Sequence, residues 1–454
     1  MLGYCARLKG SLIGVDLGMK RLCAAAVMAS AWAVPAWAEG NPLNLSGRID
    51  LGYRYYFDDG QYAGQAEAGF HPFVGFQLNG SFGVGTGEVV FQFAGLNDDE
   101  NDRSLFNIQK AYFTNSFENW DLVLGYNVED WGVSNGRTIV NVMNAKNRTN
   151  QVGNSDLIGT PMANANLFTD IGTFSVYALG DSVRGNFGGR ATRQRGPFYT
   201  DDGLVRYEDS NSPDFALRYT HGFSLGEGSL DVGVSAYQGT ARESLRMPGC
   251  ISADSAVSAL ACAQFNDDVL AGYNSGKTVA KAAADAGTDA FTAVTPYYQE
   301  IRQLGLTTVY AEGNTQLRFE GFLREASGER FVGAIVGGDH SFHNLMGGDG
   351  TLTLALEYHY DDRSGRQPVT VYDDDVFVGV NFIANDTNDS RFNLGVFYDL
   401  DQSSQIYTLS ASRRIGERLR VGINANHVVS DSLTDPLSSV DGNSYIEFSL
   451  SAFF

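Results

Sequence analysis

Long apolar runs are missing from this 454-residue chain. Beyond residue 38 nothing approaches the run of about 18 apolar residues that a membrane-spanning helix needs, so a helical membrane protein is excluded. Charge is also scarce, at 19% of residues, and acidic residues outnumber basic ones by 53 to 32. That balance lacks the basic face phosphate binding requires and excludes nucleic acid as a partner. Proline is limited to 10 residues, and the 53 glycines follow no three-residue repeat, which excludes proline-rich and collagen-like chains. No H-E-x-x-H, C-x-x-C or P-loop pattern occurs, so neither a metal centre nor a cofactor is expected.

What is present begins with an address. Met19-Lys20-Arg21 is basic, residues 22–34 are apolar, and Ala36-Trp37-Ala38 fits the small-residue cleavage rule. Residues 1–38 therefore read as an export signal, with 1–18 as an upstream extension and Met19 as an alternative start. Export removes two of the four cysteines, and the remaining pair, Cys250 and Cys262, reads as one disulfide.

In the rest of the chain the hydrophobic period is two. At the C-terminus Ile446, Phe448, Leu450, Ala452 and Phe454 share one face, and Tyr445, Glu447, Ser449 and Ser451 the other. Leu352, Leu354, Leu356, Tyr358 and Tyr360 likewise oppose Thr351, Thr353, Glu357 and His359. Similar segments start near residues 45, 214, 316, 391 and 418, each with one greasy and one wet face. Their lengths approach the 9–11 residues or so of a tilted strand crossing a bilayer.

Connections alternate between short turns and long loops along the whole chain, the longest being 131–160, 180–212 and 240–296. Short turns on one side and long loops on the other, with aromatics near strand ends, describe an outer-membrane β-barrel. The fold class is thus all-β: a transmembrane antiparallel up-and-down β-barrel spanning 39–454. The count gives about 18 strands, or about 16 should the weakly alternating segments 104–114 and 297–310 not be strands. Unpaired strand edges in lipid are too costly to leave open, and a barrel of this width holds water.

The wet faces carry Arg48, Arg54, Arg218, Arg318, Glu320, Arg324, Glu357, Arg391, Arg420 and Glu447. Charges of both signs lining a pore orient and sort solutes, so these are the candidate lumen and constriction residues. Arg190, Arg193 and Arg195 make 180–212 the candidate constriction loop. Residues 277–286 in the longest loop are alanine-rich and suit a short helix. Acidic clusters such as Asp98-Asp99-Glu100 and Asp373-Asp374-Asp375 fall in loops, where divalent cations at a lipopolysaccharide surface could meet them.

The C-terminal strand ending in Phe454 resembles the terminal signal of Gram-negative outer-membrane barrels, and the chain as a whole resembles their porin-like members. Trp131-Gly132-Val133-Ser134, residues 138–142 and 157–162, Asp214 to Tyr219 and Glu357 to Arg363 resemble a particular group of large outer-membrane barrels. The resemblance implies an outer-membrane location, recognition of the end at Phe454 by the barrel-assembly machinery, and passive passage of small solutes. It also implies outer-membrane lipid and lipopolysaccharide as surroundings, and a homotrimer as one assembly.

The alternatives are a surface adhesin and an outer-membrane lipid hydrolase. Gly132-Val133-Ser134-Asn135-Gly136 matches G-x-S-x-G, but that motif acts from a strand-to-helix elbow and here enters a loop. A barrel-borne hydrolase instead needs a serine beside an outward histidine near a rim. His221 and His427 are outward by parity, and the expectation is no enzyme.

Overall fold

The computed structural model describes residues 43–98, 101–149, 156–180, 183–209, 213–251, 254 and 257–454. The expected export signal, residues 1–38, lies outside them, as do Asp99 and Glu100. One antiparallel sheet of 18 strands dominates the fold. Its strands are β1 (Asn44–Tyr56), β2 (Gly69–Val84), β3 (Gly87–Asn97), β4 (Leu105–Ser116), β5 (Trp120–Asn127) and β6 (Thr160–Thr169). β7 (Gly172–Leu179), β8 (Asp214–Leu225), β9 (Gly228–Thr240), β10 (Glu300–Glu312), β11 (Thr315–Ala326) and β12 (Glu329–Phe342) follow. The last six are β13 (Thr351–Asp361), β14 (Asp374–Ile383), β15 (Arg391–Asp399), β16 (Gln405–Ile415), β17 (Leu419–Val429) and β18 (Tyr445–Phe453).

Each strand pairs with its sequence neighbours, and β1 also pairs with β18, with Arg48 opposite Phe453 and Tyr56 opposite Tyr445. That last pairing leaves the sheet without an edge. The strand number is 18, and the weakly alternating segments are both strands. In the first, the β3–β4 register shifts between Gln92 and Phe93, a bulge that breaks the period of two.

Pleat parity sets the two faces. Along β13, Leu354, Leu356, Tyr358 and Tyr360 are exposed outward, while Ala355, Glu357, His359 and Asp361 are buried inward. The outer wall repeats this elsewhere, with Leu51, Val74, Leu217, Leu304, Val336 and Leu450 all exposed. Aromatics collect near strand ends, including Phe117 stacked on Trp120 at 4.0 Å, Phe223, Phe342 and Tyr398. A predominantly apolar outer surface of this kind is stable against hydrocarbon and not against water. No helix among the described residues is long and apolar enough to cross a membrane.

Short hairpins gather at the end where β1 starts and β18 finishes. Gly226 (φ 63°) and Gly313 (φ 55°) start two-residue turns whose left-handed backbone matches the strand twist. At the other end, the loop between β9 and β10 builds a small unit together with two residues of the connection between β7 and β8. Helices α1 (Ala259–Asn274) and α2 (Val279–Ala286) pack on a small sheet made by 245–249, 293–298 and 206–207. Cys250 is disulfide-bonded to Cys262 inside that unit's apolar core, beside Phe265, Val269 and Tyr273. The alanine-rich stretch is α2, capped by the Thr278 side chain.

Candidate pore loop and lumen

Residues 128–149 leave β5 and fold into the barrel. Asn144 closes the base: its amide nitrogen donates to the carbonyls of Asn127 (3.0 Å) and Ile158 (2.9 Å), and its oxygen accepts from the Glu129 N–H (2.9 Å). Trp131, Ile139, Val140, Val142 and Met143 bury themselves against the inner wall, contacting the cluster that holds Tyr177, Tyr237, Ile301, Phe322 and Ile335. Apolar burial pulls the loop inward, but its irregular backbone still needs hydrogen-bond partners.

Two wall carboxylates supply them. Glu320 is fully buried and accepts from the N–H groups of Val133 (3.0 Å), Ser134 (3.3 Å), Ile139 and Val140 (2.9 Å), and from the Ser134 hydroxyl (2.9 Å). Glu357 accepts from the N–H groups of Asn135 (2.5 Å) and Gly136 (2.9 Å), and its other near neighbour is His359 Nε2 at 3.1 Å. Arg318 donates to the Val133 carbonyl (2.6 Å) while paired with Asp339 at 2.9 Å. Hydrogen bonds to an ionised acceptor are the stronger kind, and these fix the loop's depth. Gly136 lies so close to the wall that a Cβ there would sit 2.9 Å from the Phe377 and Phe397 rings.

The loop fills the side of the lumen bounded by β6–β12 and leaves the opposite side open. On the long-loop side lies a vestibule of about 810 Å³. Within the barrel a second cavity, about 550 Å³, runs along β13–β17 past Thr353, Asn381, Asn393, Thr408, Ser410 and Asn424. Asn135 and Gly136 line both, so the tip of the loop marks the passage between them. A third cavity of about 320 Å³ near β1–β4 shares Asn424 and Glu447 with the second.

The sequence-predicted residues occupy several places. Arg54 is buried, 2.7 Å from Glu447 and stacked 3.8 Å from the Tyr445 ring. Arg48 pairs with Asp50 at 3.1 Å beside the third cavity. Arg218 lies over the Trp131 ring at 5.2 Å, and Arg324 donates to Gln303 at 2.8 Å. Arg391 and Arg420 both engage Asp389 in a short turn, at the barrel end remote from the loop.

Of the candidate constriction loop 180–212, residues 194–198 line the vestibule, and its three arginines are held by contacts around the mouth. Arg193 is buried among the carbonyls of Asp58 and Ala66 and the Asn443 side chain, and over the Tyr56 ring. Arg195 donates to the carbonyls of Ala63, Arg190, Gly196 and Pro197, and Arg190 pairs with Asp254. Their donors are spent on groups of this loop and of neighbouring ones, so Arg190, Arg193 and Arg195 brace the mouth, while 128–149 is the segment that folds into the lumen.

Parity gave no facing for loop side chains, and there it missed the largest group of charges. Arg137, Lys146, Arg148 and Arg363 converge with Arg324 around Glu243. Burial raises the Glu243 carboxyl, but Arg363, Arg148, Arg324 and Lys146 outweigh it and hold it below the usual carboxylate range. Burial, reinforced by Arg148 and Arg137 and opposed by Glu243 and Glu320, pulls the Lys146 ammonium down to about 8. A group with a lowered cationic pKa sheds its charge as pH rises through that value. Anion preference, read as reversal potential in a salt gradient, is therefore expected to fall between about pH 7 and pH 9 and to stay flat in Lys146→Gln.

The Ser134 hydroxyl donates to Glu320 and no histidine reaches it, which leaves the G-x-S-x-G pattern without a base. One outward pair does form. His427 Nδ1 lies 2.5 Å from Ser444 Oγ, with the ring stacked on Tyr407. Among the described residues no carboxylate hydrogen-bonds its other ring nitrogen. Among the described residues, the His221 ring packs on the rings of Tyr219 and Phe223.

No family model and no curated protein matches the chain. Solved structures similar to it include OccAB1 of Acinetobacter baumannii, at 8% identity, TM-score 0.48, and coverage of 91% of this chain and 96% of that one. A BenF-like porin from Pseudomonas fluorescens Pf-5 is 9% identical, TM-score 0.47, covering 92% and 98%. OpdQ of Pseudomonas aeruginosa is 10% identical, TM-score 0.45, covering 92% and 99%. Likeness at this level assigns neither family nor solute.

Proposed function

We propose that this protein is a channel of the bacterial outer membrane, passing small hydrophilic solutes down their gradients through a lumen narrowed by residues 128–149. The observation that carries the reading is the pair of cavities meeting at Asn135 and Gly136 inside an edgeless barrel with an apolar exterior. A wall of 18 strands is too wide for side chains alone to fill, and here a loop takes up only part of the space. The acidic loops suit divalent cations bridging to lipopolysaccharide, the strand ending at Phe454 suits the assembly machinery, and the outer wall suits a homotrimer. Purified protein added to a planar bilayer is expected to give discrete, stepwise ion currents. Stable insertion without current would overturn the channel.

The His427–Ser444 contact favours one second reading, a lipid hydrolase at the barrel rim. Its prediction is phospholipid hydrolysis in detergent that Ser444→Ala abolishes. Hydrolysis absent from the wild type, or untouched by that change, removes it.

A further inference from the structure

A recess of about 80 Å³ opens between the base of the pore loop and the inner wall of β9–β11. Six cationic side chains line it, and Glu243 is the one acid among its lining residues. Glu243 meets Arg148 at 3.1 Å, Arg363 at 3.4 Å and Arg324 at 3.8 Å. Two of the cations hold carboxylates of their own. Arg242 pairs with Asp214 at 2.7 Å, and Arg363 grips Asp361 through two nitrogens at 2.8 and 2.6 Å. Arg137 rests over the Tyr372 ring at 4.4 Å, and the half-buried Lys146 ammonium makes no hydrogen bond or ion pair among the described residues.

Cations crowded together and partly withdrawn from water repel one another unless an anion joins them. Glu243 is such an anion, brought in by the long loop after β9, yet it leaves the lining with a surplus of positive charge. The space matches the head of a small oxyanion and opens beside the vestibule, which shares Arg137, Lys146, Arg148 and Glu243 as lining. We propose that this recess is a subsite for the carboxylate of a passing solute, and that Glu243 is a tethered competitor which the solute must displace. A carboxylate is favoured because the residue already held there is one, and planar guanidinium forks suit its two oxygens. A competitor of this kind keeps binding weak enough for release, which conduction through a bound site demands.

This subsite rests on the channel reading, and two readouts separate their failures. Full-length protein in detergent is titrated with succinate, acetate, phosphate and glucose by calorimetry, and the same solutes are tested as blockers of current in a bilayer. Succinate is expected to bind saturably and to interrupt the current, while glucose does neither. Lys146→Gln is expected to weaken succinate about tenfold and Glu243→Gln to tighten it about tenfold. Lys146→Gln does not depend on a refolded Glu243 variant, so it decides the matter alone. Unchanged succinate affinity in Lys146→Gln, or no saturable binding in the wild type, overturns the subsite. Phosphate binding as tightly as succinate overturns the carboxylate assignment. Binding without current contradicts the channel and keeps the subsite; current without binding does the reverse.

Discussion

Glu320→Ala is expected to raise single-channel conductance severalfold and to make the open current noisy. Glu320 accepts four backbone N–H groups and one hydroxyl from the pore loop, at a position with no solvent access. Hydrogen bonds to a charged partner contribute about 1.5–3 kcal/mol each, and amides left unsatisfied cost more than bonds never made. Losing the acceptor removes several such terms at once. The apolar residues that hold the loop to the wall do not replace what the amides lose, so the loop disengages and its tip leaves the passage. Glu312→Gln, at the end of β10 beside a short turn remote from the loop, serves as the control with wild-type current. A Glu320→Ala channel with wild-type conductance and noise would mean that the loop's position does not depend on this carboxylate.

The second large effect concerns the outer wall. Leu354 and Thr353 are adjacent in β13, one exposed outward and the other lining the inner cavity. An arginine facing hydrocarbon near the bilayer midplane costs about 2–4 kcal/mol, whereas one facing a wet lumen is solvated. Leu354→Arg is therefore expected to lower sharply the fraction refolded into lipid vesicles, measured as heat-modifiable migration in gels. Thr353→Arg is expected to refold like the wild type. The opposite ranking would place β13 the other way round.

These two residues illustrate how much could be read from the chain alone. Period-two alternation assigns Leu354 outward and Glu357 inward without any structure, because a strand's side chains have only two directions to point. The alternation of turns and loops likewise fixed which end holds Gly226 and Gly313. It faltered at 104–114, where the β-bulge after Gln92 shifts the pleat.

Loops were the harder part, since irregular backbone has no parity to read. Arg190, Arg193 and Arg195 suggested a constriction from charge alone, but some of the carbonyls that hold them come from residues over a hundred positions away in sequence, such as Ala63 and Ala66. A signal for the loop that folds inward was present in Ile139, Val140, Val142 and Met143. Four large apolar residues so close together in a long loop have to be covered by something, and the nearest cover is the barrel's own interior. Nothing in the sequence could bring Glu243 to Arg148, Arg324 and Arg363, which belong to four separate segments.

The most direct measurement is a thiol block at the loop tip. Asn135 is exposed and lines both main cavities, and Cys250 and Cys262, the two cysteines beyond residue 38, are joined to each other. A charged methanethiosulfonate reagent added to Asn135→Cys channels in a bilayer should cut the current by more than half within seconds and leave wild-type channels untouched. Full modification of Cys at that position, verified by mass, with current unchanged would contradict a permeation path that runs past the tip of this loop.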